Sequence, residues 1–257
     1  MRALGLLFTV LLGLGFFTGA ALAEPSGKAL GVDPDARSET RAGIKVLTVG
    51  ADIFLGDKVV TDARGLVQIR FSDSTRLVVG PNSSLVIEDY LLRDDGSGGK
   101  LALNALSGTF RFITGGAPKD RYLIETPTGT IGVRGTALDL KGDSSHFSTI
   151  VLHGAIVICN RANECVTLDD VCDIGMVDVS DAAILGNARE MTPAEREQMR
   201  AMFPWVTSDG NLLGPFRVTA ARECFNRPVV PTVQDPTSNS SDPPPSQRPG
   251  FSNGFRL

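Results

Sequence analysis

Few residues in this chain have the type and spacing that catalysis or metal binding needs. A hydrolytic triad requires a base oriented by a carboxylate beside a nucleophile. The two histidines offer little towards one: His146 closes the polar run Asp143-Ser144-Ser145-His146, and His153 adjoins Gly154. Both read as turn or edge residues, and no nucleophile motif accompanies them. The carboxylate pairs Asp94/Asp95 and Asp169/Asp170 could serve acid–base or calcium chemistry. Asp169, Asp170 and Asp173, however, lack the alternating ligands and central glycine of a calcium loop, so they read as solvated acidic surface. Cys159-x5-Cys165-x6-Cys172 lacks the tight C-x2-4-C spacing that brings two thiolates to one zinc. With Cys224, the four cysteines are expected to form disulfides, for which three pairings are open. A bond from Cys224 to any of the others would tie the C-terminal segment back to the core. The spacing Gly129-x2-Gly132-x2-Gly135 is neither a dinucleotide nor a Walker pattern, and no helix follows it. Its glycines are expected to make tight turns between short strands, with Arg134 exposed or bonded to loop carbonyls. The expectation is a protein that is not an enzyme and takes neither cofactor nor metal.

The surrounding elements are strands. From Gly43 to Asn160 short apolar–polar alternations are punctuated by glycine. Val67, Ile69 and Phe71 share one face opposite Gln68 and Arg70, the period of two of a half-buried strand. Ser72-Asp73-Ser74 turns the chain, Leu77 and Val79 resume the buried face, and Gly80-Pro81-Asn82-Ser83 turns it again. Leu85/Ile87, Leu101/Leu103, Phe110/Phe112, Tyr122/Ile124 and Ile131/Val133 continue the rhythm, with Arg93–Lys100 as a long polar loop. Strand-sized segments about every 8–12 residues imply an all-β sandwich, barrel or solenoid. Residues 164–187 are acidic and weakly patterned. Thr192-Pro193-Ala194-Glu195 then starts a helix near 193–203 with a capping box, and Met199, Met202 and Phe203 share one face before Pro204.

Several of these blocks together resemble the FecR protein domain: Gly56-Asp57-Lys58-Val59-Val60-Thr61, Gly65 to Phe71, Leu77 to Ser83, and Gly108-Thr109-Phe110-Arg111-Phe112. The most specific match is Thr126 to Thr136, in which Thr126, Pro127, Gly132, Arg134, Gly135 and Thr136 carry the family motif. Two departures touch turn geometry: Ser74 stands where a glycine is common, and Leu138 where an aromatic is usual. The resemblance covers about residues 43–158 and implies a twisted, solenoid-like β structure in the periplasm. Members that regulate iron–siderophore uptake add a cytoplasmic anti-sigma segment and one membrane helix, and relay the state of an outer-membrane receptor. Here only Met1-Arg2 precede the apolar run, so the chain is expected to lack the sigma-binding part.

Composition and the N-terminus supply the address. The chain has 257 residues, 42% hydrophobic and 21% charged, and Lys+Arg 25 against Asp+Glu 29 give a charge of −4. That balance is globular, and too acidic for nucleic acid as a partner. Arg2, the apolar run Ala3–Phe17 and Ala21-Leu22-Ala23 form a signal-peptide pattern, with a retained anchor as the alternative. The run is short for a bilayer span. The expected organisation is a signal peptide at 1–23, a FecR-like domain at 43–158, and a cysteine-containing extension at 159–226. A disordered tail follows at 227–257, which holds seven of the 15 prolines. The mature protein is expected to be periplasmic or secreted, not to span the membrane, and to bind an envelope protein. The alternative is a binder of peptidoglycan or polysaccharide, against which the scarcity of Trp205, Tyr90 and Tyr122 counts.

Overall fold

The computed structural model describes residues 24–92, 98–116, 118 and 122–226. The signal segment 1–23, the tail 227–257, and Asp94 and Asp95 of the polar loop lie outside the described residues.

Alternation of β-branched and aromatic residues with polar ones produces fifteen strands in a single sheet. They are β1 (Gly27–Asp33), β2 (Ala36–Thr40), β3 (Gly43–Val46), β4 (Asp52–Ile53), β5 (Lys58–Thr61), β6 (Leu66–Phe71), β7 (Arg76–Val79) and β8 (Ser84–Leu92). There follow β9 (Gly98–Ile113), β10 (Tyr122–Glu125), β11 (Gly129–Gly142), β12 (His146–Asn160), β13 (Cys165–Leu168), β14 (Asp173–Asp178) and β15 (Ala182–Asn187). The main path runs β15-β14-β12-β11-β10-β9-β7-β6-β1-β4, with β8, β5, β2 and β3 branching in turn from β9. Only β10 on β9 is a parallel pair. The strands thus begin at Gly27, ahead of the alternation read from Gly43, and β1 pairs with β6.

The long strands change which face they turn inward. In β9 the core residues are Leu101, Leu103 and Ala105, then Phe110 and Phe112. Period-two alternation links odd positions only with odd ones, so a shift of phase separates the two sets. It falls at Gly108, whose φ is +117° and whose site leaves no room for a Cβ against Ser83. In β11 the inward set moves from Ile131 and Val133 to Leu138 and Leu140. The β11–β12 register shifts between Arg134 and Ala137, beside Gly135 at φ +61°. Gly154 in β12 makes the matching change at φ +77°. The motif glycines therefore lie within a continuous strand, correcting the expectation of turns between short strands. They serve as a bulge and a close backbone approach. The turn is Thr126–Thr128 instead. Ser74 does occupy a glycine-like conformation, at φ +69°.

Residues 164–187 also correct the sequence reading, since β13, β14 and β15 extend the sheet there. After them α1 (Pro193–Met202) begins with the predicted capping box: Thr192 accepts from the Glu195 amide, and Glu195 accepts from the Thr192 amide. Two further one-turn helices, α2 (Pro204–Thr207) and α3 (Glu223–Asn226), accompany it. Phe203, Val206, Ala221 and Phe225 pack on the outer face of the sheet against Ile113, Ala137, Ile150, Leu152 and Ile174. Trp205, Leu212 and Phe216 cover Leu66 and Val78. Fully burying each such apolar side chain contributes roughly 1.5–3 kcal/mol. The four cysteines pair as Cys159–Cys165 and Cys172–Cys224, and the second bond fastens α3 to the turn before β14.

Candidate interaction surface

The family-motif residues build the interior. Thr126, Thr128 and Thr136 are buried. Thr126 Oγ1 accepts from the Gly129 amide at 3.0 Å, closing the turn. Thr128 Oγ1 donates to the Val177 carbonyl at 3.1 Å, and Thr136 Oγ1 to that of Ala155 at 2.8 Å. Arg161, on the hairpin closed by Cys159–Cys165, donates to the carbonyls of Thr126 and Pro127. Gly132 lies mid-strand and Arg134 is exposed on β11. These contacts use the hydroxyls of Thr126, Thr128 and Thr136 internally.

The opposite face of β9 and β11 carries Arg111 and Asp139, both fully buried. Arg111 Nε and Nη2 donate to Asp139 Oδ1 and Oδ2 at 2.6 and 2.7 Å. Nη1 points to the Phe216 carbonyl at 3.4 Å, and Trp205 lies over the guanidinium at 5.9 Å. Burial pushes the Asp139 carboxyl above its ordinary range, while the charge and hydrogen bonds of Arg111 pull it down. A second buried polar cluster joins Tyr122 to Asp73 Oδ2 at 3.0 Å, with Thr75 donating to the same oxygen. Trp205 and Tyr122 are thereby withdrawn from any sugar-stacking role, and the side chain of Tyr90 lies outside the described residues.

The titratable clusters of the surface are turn chemistry. Ser145 Oγ donates to Asp143 Oδ1 at 2.5 Å and stands 3.0 Å from His146 Nδ1. The carboxylate thus holds the serine, rather than the histidine activating it. His153 is exposed on β12. Asp169, Asp170 and Asp173 bring carboxylate oxygens within 4.8 Å of one another. There Asp173 accepts from the Asp170 amide and from Asn187, closing a turn.

Among the described residues four strands pair on one side alone, β3, β4, β13 and β15, and β3 exposes the most apolar surface of them. β3 pairs only with β2, and its Ile44 and Val46 are 71% and 70% exposed. They lie opposite Glu39 and Arg37 of β2. Lys58 and Arg37 hold the Glu39 carboxyl below its ordinary range. Behind the hairpin, a groove of about 840 Å³ runs between β2–β3 and the Phe54–Asp57 turn. Ser38, 2% exposed, lines it. Its Oγ has no hydrogen-bond partner among the described residues, an arrangement that costs about 1–3 kcal/mol. Of these surface residues only Gly56, Asp57 and Lys58 stood out in the sequence, as part of a family block. The available signal was Gly43-Ile44-Lys45-Val46, an alternation too short to specify which face is covered.

The fold is an all-β sheet with glycine phase shifts and an outer helical cover. Residues 57–157 match the family model described as FecR protein. Two solved structures are similar, both of a "putative anti-sigma factor" from Parabacteroides distasonis ATCC 8503. The 1.65 Å structure is 14% identical, with TM-score 0.39 over 50% of this chain and 57% of that one. The 2.50 Å structure is 14% identical, with TM-score 0.41 over 57% and 74%. This chain thus spans a little over half the length of the first. No curated protein matches. No helix among the described residues is long and apolar enough to cross a membrane.

Proposed function

We propose that this chain is an exported, non-enzymatic interaction module, which binds a protein partner in the cell envelope. The observation that carries this reading is the edge of β3. A strand with one free side exposes a row of unpaired amides and carbonyls, and can take a partner's extended segment as an added strand. Ile44 and Val46 then supply apolar contact beside it. Export rests on the signal-peptide pattern of residues 1–23, and the two disulfides suit an oxidising compartment. The working organisation is a leader at 1–23, the FecR domain, a helical cover through residue 226 that seals its outer face, and a tail at 227–257.

The reading is tested by crosslinking intact cells that express the tagged protein, followed by identification of what co-purifies. An envelope protein whose recovery is abolished by I44D/V46D supports it. Recovery that is indifferent to those substitutions, or of cell-wall polymer alone, overturns it.

A further inference from the structure

The groove behind β3 has a charge asymmetry that selects among partners. Its acids are engaged: Asp52 bonds Lys28 at 2.5 Å, Asp57 Oδ2 accepts from the Phe54 amide at 3.0 Å, and Glu88 accepts from Asn104 at 2.8 Å. Its cations, Arg41 and Lys45, are exposed and have no hydrogen bond or ion pair among the described residues. Only Asp52 is paired with a cation, while Asp57 and Glu88 across the groove bond neutral donors and keep their charge; the cations without an ion pair, Arg41 and Lys45, both lie on the β2–β3 hairpin. Ser38 stands directly opposite Lys45 in the β2–β3 register. The two residues thus lie on the same face of the hairpin.

Resting on the docking reading above, we infer that the groove takes an extended acidic peptide segment, added to the β3 edge with its carboxylates at Arg41 and Lys45. Alternation in the incoming strand places apolar side chains beside Ile44 and Val46 on one face and acidic ones towards Lys45 on the other. A peptide suits the site better than a small anion, because β3 offers backbone groups along a strand as well as charge. The lysine at the edge also acts selectively. It opposes pairing with a second copy of β3 through like charge, and it favours an acidic strand.

The probe is a seven-residue peptide of alternating valine and aspartate, titrated into the isotope-labelled, disulfide-bonded protein and followed by amide shifts. Valine–asparagine and valine–lysine peptides of the same length serve as comparisons. Saturable shifts are expected at residues 43–46 and 54–57 with the aspartate peptide. R41E/K45E should weaken them roughly 10-fold. Both cations are exposed and unpaired, so the double variant should leave the remaining spectrum unchanged. Equal binding of the asparagine peptide overturns the acidic preference while leaving edge docking in place. No binding by any of the three overturns the inference, and a partner still crosslinked through β3 in cells would show that the docking reading survives it.

Discussion

Arg111 and Asp139 stand directly opposite each other on β9 and β11, bonded through two donors, and neither has any exposed side-chain surface. The pair lies on the outer face of the sheet, the face that alternation assigns to water. It is buried because Trp205 and Phe216 of the C-terminal segment close over it. The segment beyond the stretch that matches the FecR family model is thereby part of the same folded unit, and the ion pair marks where the two meet.

Removing one partner of a buried pair strands the other charge, at roughly 3–5 kcal/mol. D139A and R111A should each lose that much stability in denaturant unfolding. R111M/D139L should recover most of it, since apolar replacement of both removes the desolvation cost. Trp205 is the only tryptophan, so its fluorescence reports directly on this contact.

The two disulfides should differ in weight. Cys172–Cys224 spans 52 residues and Cys159–Cys165 only 6. On chain entropy the longer loop is worth about 4 kcal/mol and the shorter about 2. C172A/C224A should lower the melting temperature more than C159A/C165A, and should expose the segment after residue 190 to limited proteolysis.

Gly154 sits at φ +77°, and an added Cβ would fall 2.3 Å from the Gly135 carbonyl. G154A should therefore cost at least about 2 kcal/mol in thermal unfolding, from strain and contact together. Ser74 has the reverse relation to its backbone, and S74G should stabilise by about 0.5–1 kcal/mol.

Acid should destabilise the fold through surface carboxylates. Hydrogen bonds from Thr192, Ser145 and Ser180 hold Glu195, Asp143 and Asp178 below their ordinary values, and Lys58 does the same for Glu39. A carboxylate lowered in the folded state stabilises fully above its unfolded pKa, about 4, and loses that contribution as pH falls through the folded value. Asp139, raised by burial, acts with the opposite sign and loses its contribution as pH rises between its unfolded and folded values. Melting temperature should therefore fall below about pH 4. T192V should move the Glu195 titration back towards normal, read by carboxyl chemical shifts.

Alternation made the inner face of the strands from Leu66 to Ile158 legible, but not that Gln68, Val78 and Arg111 on the other face are buried as well. It also made the capping box at Thr192 legible, because that signal is local. β13 to β15 were not, since their apolar residues are spread over two faces among acids. The covering of Arg111 was not either. Phe110-Arg111-Phe112 reads as an ordinary half-buried strand until Phe216, 105 residues later, is placed over it. The surface at β3 depends on which strands are left with a free side, and that is a property of topology rather than of spacing. Motif residues such as Thr126 and Gly135 were found by resemblance, and their geometry here is structural.

The central claim is that the β3 edge is where this protein meets its partner. The most direct measurement places a photoreactive amino acid at Val46 and, separately, at Leu185 on the distant edge strand β15, and irradiates living cells. The account predicts one discrete higher-mass adduct from position 46, lost in R41E/K45E, and none of that mass from position 185. The same adduct from both positions, or one from position 185 alone, would contradict it.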